Sequence, residues 1–240
     1  MKTDTGLGNA RQIGVLLRGE AIPIQSWIVR PEVGRAAFHV AVILAGAGLY
    51  GAAMGWWRDP QQALYVAIKL PLIILLTTLG NALLNAMLAP LLGLNLSFRE
   101  SLLAVLMSFT IVGAILGSFS PLAAFFVWNA PPLSPEAVAG STYQVIKLMH
   151  VAVIAFAGVA GNVRLFQWLA RLSQSRRAAR RVLIAWLAGN LFLGSQLSWI
   201  LRPFIGAPGL PVEFLRHGFA LQGNFYENVF HSFWQILQFN

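Results

Sequence analysis

Chemistry in this chain would have to come from a few polar side chains set inside long apolar stretches. Lys69, Asn81 and Asn85 interrupt one stretch, and Lys147 and His150 another. In a third, Asn190, Gly194, Ser198 and Arg202 follow at four-residue steps, with Gln196 nearby. Residues three or four apart share a helix face, so Asn81 lies with Asn85, and Lys147 with His150. Ionisable groups are costly in hydrocarbon and turn toward protein or water. Lys69, Lys147, His150 and Arg202 are all expected in the outer half of the bilayer or at its rim. A cationic cluster there would suit an anion or a lipid headgroup. The competing reading is that long basic chains snorkel to the interface and bind nothing. His150 and His39 are each the single histidine of their stretch, and such a residue is more often a hydrogen-bonded structural group than a ligand.

No catalytic set accompanies them. The acids are Asp4, Glu20, Glu32, Asp59, Glu100, Glu136, Glu213 and Glu227. None forms a close pair suited to acid–base work or Mg²⁺ binding. There is no phosphate-binding glycine loop, no His-Glu-x-x-His and no Gly-x-Ser-x-Gly. The absence of cysteine rules out disulfides, iron–sulfur clusters, thiolate metal sites and Cys nucleophiles. Glu213, His217, Glu227 and His231 lie in the C-terminal tail, but their spacing matches no strong metal motif. The expectation is a protein that is not an enzyme, with no cofactor and no metal.

The elements that carry these residues follow from composition. Of 240 residues, 57% are hydrophobic and 10% charged. Soluble domains carry about 25% charged residues, so this chain lacks the polar surface a water-soluble globule needs. Disorder is excluded by the same apolar excess. What remains is an integral membrane protein. About 20 apolar residues cross the hydrocarbon, and five such stretches occur, at about 36–57, 63–92, 102–128, 143–169 and 182–203. Lys69, Pro71 and Pro90 predict tilt or a break in the second. Ser97 and Glu100 have the spacing of a capping box that opens the third.

Basic residues outside the spans are unevenly placed. Lys2, Arg11, Arg18, Arg30, Arg35, Arg99, Arg171, Arg176, Arg177, Arg180 and Arg181 fall on one side; Arg58, Arg202 and Arg216 fall on the other. The positive-inside rule then puts the N-terminus in the cytoplasm and the C-terminus outside. The net charge of +9 reads as this bias meeting anionic lipid. Nucleic acid is set aside, because no compact basic patch is interleaved with stacking aromatics. Trp56, Trp57, Trp128, Trp168 and Trp199 fall near span ends, as an aromatic belt requires.

Two flanking segments complete the organisation: a cytoplasmic interfacial segment (1–34) and an extracytoplasmic tail (206–240) around a five-helix bundle (35–205). Residues 1–34 have no uninterrupted apolar run of the kind a cleaved signal peptide needs. Residues 224–239 read as an amphipathic helix lying flat on the outer face, with an apolar row of Phe225, Val229 and Phe233 beside Ile236 and Leu237. Phe225, Tyr226, Phe230, Phe233 and Trp234 are the interface candidates. Small residues recur at four-residue spacing: Ala47, Gly51 and Gly55; Gly113 and Gly117; Ala157 and Gly161. Such patterns pack helices in membranes, either within the chain or between subunits; Asn81 and Asn85 are counted with them.

The stretch Leu94-Asn95-Leu96-Ser97-Phe98-Arg99-Glu100-Ser101-Leu102-Leu103, followed by an apolar helix with Pro121, resembles the Yip family of multi-pass membrane proteins. The resemblance extends over about residues 36–203. It implies five spans with a cytoplasmic N-terminus. Eukaryotic members are linked to vesicle traffic and small GTPases, while bacterial look-alikes mostly have no assigned activity.

The expectation is therefore an all-α integral membrane bundle of five transmembrane helices, with interfacial helices at both ends, in the inner (plasma) membrane. Its expected role is that of a scaffold or accessory subunit, with membrane lipids and other subunits or further copies of itself as partners. The alternative is a transporter, channel or lipid-handling protein with a polar path along spans two, four and five.

Overall fold

The computed structural model describes residues 9–30, 32–92, 97–132, 134, 141–172, 175–206, 211–215 and 225–238. Among these residues there are eight helices and no strand: α1 (Asn9–Arg18), α2 (Ala21–Val29), α3 (Val33–Trp56), α4 (Pro60–Leu91), α5 (Phe98–Asn129), α6 (Ser141–Leu172), α7 (Arg176–Ile200) and α8 (Phe225–Gln238). Helices α3 to α7 are each long and apolar enough to cross a membrane. Their bounds follow the expected spans closely, with one shift. Helix α7 begins at Arg176, because Ser175 caps it by accepting from the Ala178 N–H, so the arginine turn is helical. Helix α5 opens with the expected capping box: the Ser97 and Glu100 side chains each bond the other's backbone N–H.

The break expected in the second span is absent, and α4 runs unbroken through Pro71. Proline removes the N–H that would satisfy the carbonyl four residues earlier. At Pro71 that carbonyl belongs to Ala67, and it lies beside Gly48 of α3, where no side chain intervenes. At Pro121 in α5 it belongs to Gly117, and the Ser120 hydroxyl donates to it at 2.7 Å. Local partners of this kind keep proline-bearing spans straight enough to pack.

Helix α5 is central, and α3 packs on it and on α4 through glycine. A side chain on Gly46 would run into the Gly113 carbonyl, and Gly117 closes onto the Gly46 backbone. Gly51 and Gly55 lie against the α4 backbone at Val66 and at Gln62–Ala63. Gly161 of α6 lies against the Ser108 carbonyl of α5, and Ala157 is wholly buried. These small-residue stripes are therefore occupied within the chain.

The N-terminal segment is helical, and it docks on protein rather than lying only on lipid. Helices α1 and α2 meet at Gly19, whose φ of 70° is one that glycine adopts without strain. Val15, Leu16, Ile24, Trp27 and Ile28 enter one core with Leu103 and Met107 of α5, Leu165 and Trp168 of α6, and Val182 and Trp186 of α7. Each such aliphatic side chain removed from water contributes about 2 kcal/mol.

Helix α8 also departs from expectation. The Tyr226 hydroxyl donates to the Leu191 carbonyl at 3.2 Å, and Lys147 Nζ donates to Asn228 Oδ1 at 3.2 Å. At 1.5 Å per residue, Leu191 sits about 13 Å inside the end of α7. By the same rise Lys147 sits about 9 Å inside the start of α6. Helix α8 thus sits with its first turn against α6 and α7, inside the end of the bundle. Its expected apolar row is split: Phe225 and Val229 are half-buried and Ser232 is buried, whereas Phe233 is exposed. Asn228 accepts from Lys147 while remaining exposed, and the buried Ser232 hydroxyl donates to the Asn228 carbonyl of its own helix. The side chains of Ile236 and Leu237 lie outside the described residues.

Candidate functional site

The end of the bundle opposite the α7 arginine turn gathers the polar residues singled out in the sequence, together with several that were not. Lys69 is wholly buried, and its Nζ donates to the Pro203 carbonyl at 3.0 Å. Gln62, two turns earlier on α4, donates from Nε2 to the same carbonyl at 2.8 Å and to that of Phe204 at 2.9 Å. The Tyr143 hydroxyl of α6 donates to the Gly206 carbonyl at 3.1 Å. The segment that leaves α7, residues 203–206, is thereby strapped across α4 and α6. Rings close the site: Phe214 lies 5.0 Å and Tyr65 5.9 Å from Lys69 Nζ. Trp57 stacks on Tyr143 at 5.9 Å and donates its indole N–H to the Pro131 carbonyl.

The four basic residues expected to cluster are each held by a different part of the chain. Lys69 is on the strap. Arg202 lies over the Trp199 ring at 3.6 Å and donates to the Trp199 carbonyl. Lys147 reaches α8 through Asn228 and lies 5.7 Å from the Tyr143 ring. His150 turns to α3, where its Nδ1 and the Tyr50 hydroxyl are 2.9 Å apart, with the rings edge to face. Tyr50 also lines a cavity of about 50 Å³ with Phe119, Leu122, Ala123, Phe126, Met149 and Val153. That space admits water and nothing much larger.

A second polar group lies between α4 and α7. Asn81 Nδ2 donates to Asn190 Oδ1 at 2.7 Å and to the Trp186 carbonyl at 3.4 Å. Gly189 allows this approach, because a Cβ there would strike Asn81 Oδ1. Asn85 shares the buried face with Asn81, as the spacing predicted, and Gly194 faces Thr77. Asn85 Nδ2 and Thr77 Oγ1 have no hydrogen-bond partner among the described residues. Gln196 is exposed. On α8, Tyr226, Phe230, Phe233 and Trp234 are half exposed or more, while Phe225 is half-buried.

Sequence reasoning missed Gln62 and Tyr50, and placed Trp57 only in the aromatic belt. For Gln62 a signal existed, since it precedes Lys69 by seven residues and so shares its face. For Tyr50 and Trp57 the partners are distant in sequence, and spacing carries no trace of them. Among the described residues, no group of three or more His, Cys, Asp or Glu side chains is placed to hold a metal ion.

Five apolar helices joined through close backbone contact, with Lys69 and Asn81 tied to other parts of the same chain, define a multi-pass helical membrane protein. No protein-family model matches the chain, and neither does any curated protein or solved structure.

Proposed function

We propose that the chain is a non-enzymatic protein of the inner (plasma) membrane that serves as a scaffold or accessory subunit of a membrane assembly. In this reading its N-terminus is cytoplasmic, its C-terminus is outside, and its partners are lipids and other subunits or a second copy. One observation carries the proposal. Lys69, Asn81 and His150 of the spans are engaged within the chain, by Pro203, Asn190 and Tyr50. The rings of Phe156, Phe192, Phe230 and Trp234, by contrast, are turned outward on α6, α7 and α8. The arginines gathered at one end support the orientation through the positive-inside bias. The test is extraction in mild detergent followed by native mass measurement. A second copy or a stoichiometric partner is expected; a monomer that co-purifies with no other protein would sink the proposal.

The alternative, a transporter, channel or lipid-handling protein, draws support from the unpartnered Asn85 Nδ2 and Thr77 Oγ1 between α4 and α7. It predicts solute flux or lipid transfer in liposomes that Asn190→Leu abolishes. Absence of both activities in the unaltered protein counts against it.

A further inference from the structure

Helix α7 is firmly packed over only half of its length. Its buried residues are Ala179, Val182 and Trp186, all in the first half, and they join the core that α1 and α2 enter. From Leu187 to Ile200 every residue is at least partly exposed. Beyond the helix the chain is fixed again, because the Pro203 carbonyl accepts from Lys69 and Gln62 and Ile205 is buried. The second half of α7 therefore hangs between two anchors.

The backbone of that half is soft. It contains Gly189 and Gly194, and glycine is the weakest helix former after proline. Gly194 is followed by Ser195, whose hydroxyl donates to the Phe192 carbonyl at 3.1 Å. Glycine–serine pairs, and serine bonds to the preceding turn, are places where helices bend.

The same half covers a polar row on α4. Thr77, Asn81 and Asn85 are at most 3% exposed. Gly189 lies against Asn81, and Gly194 faces Thr77. Asn81 donates to Asn190, but Asn81 Oδ1, Thr77 Oγ1 and Asn85 Nδ2 have no partner among the described residues. Buried polar atoms left unpaired favour any arrangement that lets water reach them. The amide pair holds the seam closed, and these atoms oppose it.

We propose that the second half of α7 bows away from α4, between Trp186 and Pro203, and admits water to Thr77 and Asn81. The motion belongs to one half-helix and leaves the contacts of α3 with α4 and α5 in place. It stands whether the protein is a scaffold or a transporter.

The chain has no cysteine, so each single-cysteine variant reports on one position. The test is the rate at which a charged, membrane-impermeant methanethiosulfonate modifies these variants in open membrane fragments. Thr77→Cys is nearly isosteric. It is expected to react at least about tenfold faster than Ile74→Cys, one turn away in the core around α3. Val66→Cys, wholly buried in that core, takes the place of Ile74→Cys if the latter does not fold. A Cβ on Gly194 has only Thr77 within 4 Å among the described residues, at 3.7 Å, so Gly194→Ala fits the closed seam. By stiffening the helix it should slow the reaction at Thr77→Cys about fivefold. Asn190→Leu removes the amide pair and should speed it about threefold. Gly158→Ala in α6 meets open space and should leave the rate unchanged. Equal rates at Thr77→Cys and Ile74→Cys overturn the proposal, since any exposure would then come from opening of the whole bundle. So does an unchanged rate in Gly194→Ala or in Asn190→Leu. Equal slowing by Gly158→Ala and Gly194→Ala also overturns it, because overall stability and not the bow would then set the rate.

Discussion

Helices α5 and α7 are both apolar spans of one bundle, yet they are held in different ways. Of the most apolar part of α5, 61% is buried within the chain; for α7 the figure is 6%. Helix α5 meets α3 where glycines stack, Gly46 on Gly113 and Gly117, so the two backbones touch. Helix α7 meets α4 around an amide pair, Asn81 with Asn190, seated beside Gly189, and its first half buries Ala179, Val182 and Trp186 in the core that α1 and α2 enter. Lipid tails are as apolar as leucine, so no hydrophobic force drives helices together inside the bilayer. What remains is contact area and hydrogen bonding. The first mode holds α3 and α5 together, and the second adds to the packed first half of α7 where that helix crosses α4.

Three substitutions would break or sharpen that contrast. The largest effect is expected for Gly46→Leu, whose side chain would collide with the α5 backbone at Gly113. A loss of about 3 kcal/mol is expected, read as a lowered denaturation midpoint in detergent. An unchanged midpoint would mean that α3 and α5 are not held by this approach. Asn190→Leu removes the amide pair but leaves the α3–α5 contact alone. It should cost about 1 kcal/mol and raise amide hydrogen exchange in α7 only. Exchange rising equally in α3 and α5 would make the bundle one cooperative unit and erase the distinction. The smallest effect is expected for Gln196→Leu on the exposed side of α7. Stability should change by less than about 0.5 kcal/mol; a larger loss in the native membrane, but not in detergent, would locate a partner against that face.

Much of the architecture was legible in the sequence because its signals are local. Apolar length gave the five spans, the Ser97–Glu100 spacing gave the start of α5, and the glycine spacings marked the faces that meet. The site was less legible. The sequence predicts Lys69 in an outward cationic cluster or snorkelling to the rim, yet it is buried, and its acceptor is a backbone carbonyl at Pro203, which every residue type has. The Tyr50–His150 pair joins residues one hundred positions apart, with nothing in either neighbourhood to announce the other. The placement of α8 was misread for a related reason. Its hydrophobic pattern resembles that of a surface helix on lipid, and only the contacts of Tyr226 and Asn228 reveal that its first turn lies against α7 and α6.

The bond from Lys69 to Pro203 also bears on how the chain is made. Synthesis runs from the N-terminus, so α4 enters the bilayer before the residue that accepts from Lys69 has been translated. The two are 134 positions apart. Until then the lysine adds roughly 3 kcal/mol to the cost of inserting its helix. A ribosome stalled after α6 should therefore leave α4 poorly anchored and extractable by alkali. A chain released past Pro203 should hold it, and the last third of the protein thus completes the membrane integration of the first.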